Sequence, residues 1–193
     1  YEIQRGDILL DGIPTNKTSK RDLRRQISLV QQDVFLFSGS ILDNIRLGNS
    51  YLEIDQIKSI AESVNLHQFV ECLPDKYEQN VLERGSVLSL GQKQLLSFAR
   101  ALATDPRILV LDEATSSIDT ETELQVQSGI KELIRGRTSI IIAHRLSTLK
   151  NVDKILVLKE GRMAEYGTQK ELLQKKGIYW KLYNLQAFNG VKL

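Results

Sequence analysis

Two carboxylates stand side by side at the end of an apolar run: Ile108-Leu-Val-Leu111 leads into Asp112-Glu113. Side chains on an extended segment alternate in direction, so one acid can address a cation while its neighbour addresses a water. Mg²⁺ is a hard cation that takes carboxylate oxygens and shares the rest of its shell with substrate phosphates. The same pair would also suit the first turn of a following helix, where acids complement the dipole. A second feature is Ser89-Leu-Gly-Gln92, ahead of an apolar-periodic segment. Ser and Gln at that spacing form a capping box. A capped helix start also offers a hydroxyl and N–H groups to phosphate, and Gly91 would let an anion approach the backbone closely. His144 follows the apolar run Ile140 to Ala143, and Gln31-Gln32-Asp33 follows Ile27 to Val30. Taken singly, these last two are a polar strand end and a polar turn.

The elements that must carry these residues are legible as alternating strand and helix patterns. Asp7–Asp11, Ile27–Val30, Arg107–Leu111 and Thr138–Ala143 read as short strands covered on both faces. Lys154–Leu158 and Arg162–Tyr166, joined through Gly161, read as a hairpin. Leu95, Ala99 and Leu102 recur at helical spacing, as do Val126, Ile130 and Leu133, and Ile54, Ile57 and Ile60/Ala61. Strand and helix alternate in the second half, which predicts a parallel α/β sheet. Residues from about 34 to 103 hold much helix and little strand, as a helical insert would. Thr168 to Phe188 carries two more helical patterns, separated by Gly177.

The chain has 193 residues, 41% hydrophobic and 26% charged, enough apolar material for a core, which excludes a disordered chain. With 26 basic and 24 acidic residues the net charge is +2, too small to argue for nucleic acid or an anionic membrane surface. The apolar runs are too short to span a bilayer. Tyr1 opens in mid-pattern with no basic and apolar leader, and the single cysteine, Cys72, allows no internal disulfide. Both point to a reducing, cytosolic setting.

In order and spacing, the four features together resemble the nucleotide-binding domain of ATP-binding cassette (ABC) transporters of the exporter type, over essentially the whole chain. Gln32 matches the Q-loop glutamine. Leu88-Ser-Leu-Gly-Gln92 matches the signature motif, Ile108–Glu113 the Walker B motif, Ser116-Ser-Ile-Asp119 the D-loop and His144 the switch histidine. Glu83-Arg84-Gly85 is similar to the exporter X-loop. The resemblance implies a P-loop NTPase-like α/β core with a parallel sheet and a helical subdomain. It implies one partial nucleotide-binding domain, with the helical subdomain at about 34–103, the core sheet at about 104–167 and C-terminal helices over 168–193.

The resemblance also implies the site. ATP and Mg²⁺ are the expected ligands. Glu113 and His144 are the expected catalytic residues, Glu113 polarising the attacking water and His144 holding the γ-phosphate. Gln32, Ser89, Gly91, Gln92, Asp112 and Asp119 would bind the nucleotide, with Gln32 and Asp112 also addressing the metal. Implied partners are a second nucleotide-binding domain and a transmembrane domain, whose coupling helix would dock near Phe35 and Phe37. The implied location is the cytoplasmic face of the cell membrane, with no nucleic acid among the partners. The segment Gly177–Gln186, with Tyr179, Trp180, Leu182, Tyr183 and Leu185, resembles the C-terminal helix of exporters whose membrane domain precedes this domain in one polypeptide.

Two features depart from the family pattern. None of the 12 glycines lies in a G-x-x-x-x-G-K-[ST] phosphate cradle. Tyr1–Gly12 looks like the segment after that motif, so the chain reads as starting just past it. These residues alone are then expected to bind ATP weakly or not at all, because the cradle holds the β- and γ-phosphates. The absent strand is expected to lie beside the Asp112 strand, leaving unpaired edges and exposed apolar faces that invite self-association. The second departure is Leu90, where the signature motif usually has Gly. With Glu113 intact and Leu90 altered, the chain looks like one half of a heterodimeric exporter; a homodimer tolerating Leu90 is the alternative. A soluble ABC-type ATPase of DNA repair or translation and a non-catalytic regulatory fragment also stay open. Phe35/Phe37, Glu83-Arg84-Gly85 and the near-zero net charge favour the exporter.

Overall fold

The computed structural model describes residues 3–47, 49–81, 88–112, 120–143, 149 and 152–190. The chain divides into two compact units, Tyr1–Ile142 and Ala143–Leu193.

In the first unit, β1 (Leu9–Leu10) and β2 (Ile13–Pro14) form a minimal antiparallel hairpin. Asp11 and Gly12 turn the chain with φ of 49° and 79°, the left-handed pair that suits a two-residue hairpin. The buried strand expected over Asp7–Asp11 is therefore corrected. Only two residues pair, and Ile8 and Leu9 are 59% and 57% exposed, because the Asp11–Gly12 turn folds the strand onto its own continuation. Next come α1 (Lys20–Gln26), β3 (Ile27–Val30), α2 (Ile41–Arg46), α3 (Ile54–Ser63) and α4 (His67–Glu71). The unit closes with α5 (Leu90–Ala103), β4 (Ile108–Asp112), α6 (Thr120–Ile134) and β5 (Thr138–Ile142).

The sheet of this unit is parallel and ordered β3-β4-β5. Strand β4 is paired on both edges. This corrects the expectation that a further strand lies beside the Asp112 strand: β3 and β5 already take both positions. Leu29, Val110 and Ile140 are mutual register partners, as are Val30, Leu111 and Ile141. Register partners share a face, and the two rows differ in burial. Val30, Leu109 and Leu111 are buried in one apolar cluster with Leu95, Leu96, Phe98 and Ala99 of α5 and Val126 and Leu133 of α6. Leu29, Ile140 and Ile142, on the opposite face, are exposed within these 193 residues, which alone cover β3 and β5 on one side and not on both as expected. Helix α6 approaches α5 closely because residue 129 is Gly: a Cβ there would sit 3.3 Å from the Phe98 ring and from the Val64 carbonyl.

The second unit contains β6 (Ile155–Lys159), β7 (Arg162–Gly167), α7 (Gln169–Lys175) and α8 (Ile178–Gly190). The two strands form an antiparallel hairpin around Glu160 and Gly161, both left-handed. Ile155, Val157, Leu172 and Tyr179 build its core. The start of α8 is held by Glu165, whose carboxylate accepts the Ile178 and Tyr179 N–H groups at 2.8 and 2.9 Å. Among the described residues, no helix is long and apolar enough to cross a membrane.

Candidate functional site

Asp112 is the last residue of β4 and pairs with Ile142, the last residue of β5; Val30 ends β3 opposite Leu111. Three parallel strands thus end together. In such sheets the carboxyl edge is where ligands are bound. Asp112 shares the parity of Ile108 and Val110, so it belongs to the sheet face that α5 and α6 leave uncovered. It is half-buried there. A carboxylate on an accessible face suits a hard cation. Among the described residues no cluster of three or more His, Cys, Asp or Glu could hold a metal by itself. Gln32 lies two residues beyond β3, at the same edge of the sheet, and is exposed.

Ser89, Gly91 and Gln92 form the start of α5. The expected capping box is present: Gln92 N–H donates to Ser89 Oγ at 3.3 Å, and Ser89 N–H donates to Gln92 Oε1 at 2.9 Å. Leu90 and Gly91, whose amides the cap does not use, sit at the positive end of a 14-residue helix. Leu90 is 40% exposed and Gly91 is buried. Glu113, Asp119 and His144 lie outside the described residues, as do Glu83-Arg84-Gly85.

Phe35 and Phe37 stack edge to face at 4.9 Å and are exposed, with Leu36 buried between them. They line a cleft of about 410 Å³ together with Leu29, Val34, Leu47 and Arg100. Sequence reasoning missed the residues that build this cleft. Asn44, 1% exposed, uses its whole side-chain amide. Its Oδ1 accepts Phe37 N–H at 3.0 Å and Arg100 Nη2 at 2.7 Å; its Nδ2 donates to the Phe37 and Ser40 carbonyls at 2.9 and 3.0 Å. Arg100 also donates from Nε to the Asn44 carbonyl at 3.0 Å and from Nη1 to the Phe35 carbonyl at 2.8 Å. Its guanidinium lies 5.6 Å from the Phe37 ring centre. Burial holds this guanidinium below its usual pKa. The available signal was a lone Arg inside the apolar stretch Leu95–Ala103.

Comparisons with known proteins bear on the family and the fold. A family profile described as ABC transporter matches residues 1–116. The chain belongs to the ABC transporter family, and its fold is that of the ABC ATPase. It is 49% identical over 192 residues to the "Uncharacterized ABC transporter ATP-binding protein YknV" of Bacillus subtilis (strain 168), covering 100% of this chain and 32% of that protein. It is 44% identical over 191 residues to an "ATP-dependent lipid A-core flippase" of Legionella pneumophila (strain Paris), covering 99% of this chain and 32% of that protein. Among solved structures, a bacterial Atm1-family ABC exporter with ATP bound superposes with a TM-score of 0.89 at 38% identity, over 97% of this chain and 33% of that one. The chain spans about a third of the length of the curated relatives it matches.

Proposed function

We propose that this chain is part of the ATP-hydrolysing motor of a membrane exporter, acting within a longer protein at the cytoplasmic face of the membrane. The observation that carries the reading is the common carboxyl edge of β3 and β4, near which both Gln32 and Asp112 lie. The names of the matched relatives, a transporter ATP-binding protein and a flippase, favour it over a soluble repair or translation ATPase.

In this reading residues of about 34–103 are the helical subdomain. Asp112 would hold Mg²⁺ through a carboxylate oxygen, and Gln32 would contact the same ion and the γ-phosphate. The ion, bound with ATP, supplies charge neutralisation at the phosphates. Glu113 would orient the attacking water and take up its proton. His144 would hold the γ-phosphate, and Asp119 would contact the nucleotide across a dimer. Ser89, Gly91 and Gln92 would present the start of α5 to a nucleotide held by a partner domain. No stretch of the 193 residues supplies a glycine-lysine phosphate cradle, so these residues alone should bind ATP weakly. The Phe35/Phe37 cleft would receive a short helix of the membrane domain.

The partner domain is proposed to differ from this chain. Leu90 sets a branched side chain in the first turn of α5 where a phosphate must approach the backbone. The site that Leu90 completes would be weak, and the site that Glu113 serves would be competent. Hydrolysis of Mg-ATP by the full-length protein, abolished by EDTA, tests the motor reading; no hydrolysis contradicts it. Leu90→Gly in the full-length protein should raise turnover through the second site, and unchanged turnover contradicts the unequal-sites reading.

A further inference from the structure

We infer that Arg100 is a positioning residue that fixes Gln32, acting through the backbone of the loop between β3 and α2. Residues 33–37 have no regular secondary structure, so their polar backbone groups must find partners elsewhere. Side chains supply them. Arg100 takes the Phe35 carbonyl, and Asn44, itself bound by Arg100 at both its side-chain and main-chain oxygens, takes the Phe37 N–H and carbonyl. Gln32 therefore lies on a short span between two anchors. Val30 is fixed by its register with Leu111 of β4, and Phe35 is fixed by Arg100.

The second anchor belongs to α5, which begins at the Ser89 cap. Arg100 lies eleven residues along, about 16 Å at the helical rise. A single rigid helix thus joins the Ser89–Gln92 turn to the loop that holds Gln32. The geometry needs arginine: three N–H groups of one planar fork reach three acceptors on two segments, which a lysine ammonium on a flexible stem cannot reproduce. Without this anchor the next tether on that side is Phe37, held by Asn44, so the span carrying Gln32 lengthens and Gln32 samples more positions. A displaced group near reacting atoms costs rate more than affinity.

This inference rests on the proposed role of Gln32 at the metal and γ-phosphate. It is tested by a double-mutant cycle in the full-length protein with Mg-ATP as substrate: parent, Arg100→Lys, Gln32→Ala and the double variant, each with a thermal melt. Arg100→Lys is expected to lower kcat on the order of tenfold, with KM for Mg-ATP within about twofold of the parent. In the Gln32→Ala background the same change is expected to alter kcat by less than about twofold, since the group it positions is gone. Should Arg100→Lys fail to melt cooperatively, Arg100→Gln, which keeps two donors, runs the same cycle. Multiplying effects, a parental kcat, or a loss matching only the unfolded fraction would overturn the inference. A parent that does not hydrolyse Mg-ATP would instead remove the proposed function, and the inference with it.

Discussion

Asp112 and Ile142 are paired at the ends of two adjacent parallel strands, and both lie on the sheet face that the helices leave open. The pairing follows from composition and register. Ile108–Leu111 and Thr138–Ile142 are rich in the β-branched and leucine residues that suit a pleated surface. A one-residue slip would turn Asp112 into the cluster formed with α5 and α6, where an unpaired carboxylate is costly. The packed face thus fixes the register, and the register sets the acid at the open edge.

Ser89 caps α5, and a phosphate contact is proposed for it besides. Ser89→Ala should cost about 1 kcal/mol of stability, read by urea denaturation, because the Gln92 N–H loses its cap. Ser89→Asp keeps a good cap and should leave stability within about 0.5 kcal/mol. It also sets a negative charge where a nucleotide phosphate is proposed to lie, so ATP turnover of the full-length protein should fall at least about tenfold. Parental turnover in Ser89→Asp would remove the phosphate contact at this turn.

Gly177 is required by the clamp on α8. A Cβ at this position would overlap the Glu165 carboxylate, which holds the Ile178 and Tyr179 amides. Gly177→Ala should destabilise the second unit by about 1–2 kcal/mol, because the Glu165 carboxylate must swing off the two part-buried amides. In a Glu165→Ala background the same change should cost little more, because the colliding group is absent. Urea denaturation of the four variants checks the coupling.

Tyr77 predicts an alkaline loss of stability. The residue is buried, and its hydroxyl lies 2.8 Å from His67 Nδ1. Burial, with Glu71 and Glu62 nearby, pushes its phenol up to about 12 from an ordinary value of 10. The fold thus favours the neutral phenol. That contribution is complete below pH 10 and is lost as the pH rises from 10 through 12, where the unfolded chain ionises first. Tyr77→Phe should cost about 1 kcal/mol near neutral pH, for the lost hydrogen bond, and should then show a shallower decline between pH 10 and 12. Urea midpoints across that range, with tyrosinate absorbance, check it.

Periodicity made the helices legible. Leu95 and Ala99 of α5, Val126 and Leu133 of α6, and Ile57 and Ala61 of α3 are the buried faces that the spacing implies. The capping box at Ser89 was equally local, four residues long. What escaped was decided by distant partners. Asp7–Asp11 has the composition of a buried strand, yet its burial depends on neighbours that no local pattern encodes. Arg100 looks like a solvated residue on an amphipathic helix, but its acceptors are 56 and 65 residues away. Pairing across such separations becomes visible only in the fold.

In the proposed motor, the acids following Ile108–Leu111 serve ATP hydrolysis. Turnover of Mg-ATP by the full-length protein and its Glu113→Gln variant, with nucleotide binding measured on both, isolates that role. Binding should persist in Glu113→Gln while turnover falls by about a hundredfold or more, because water activation is lost and the other contacts remain. Equal turnover in the two proteins would rule out a catalytic role for Glu113.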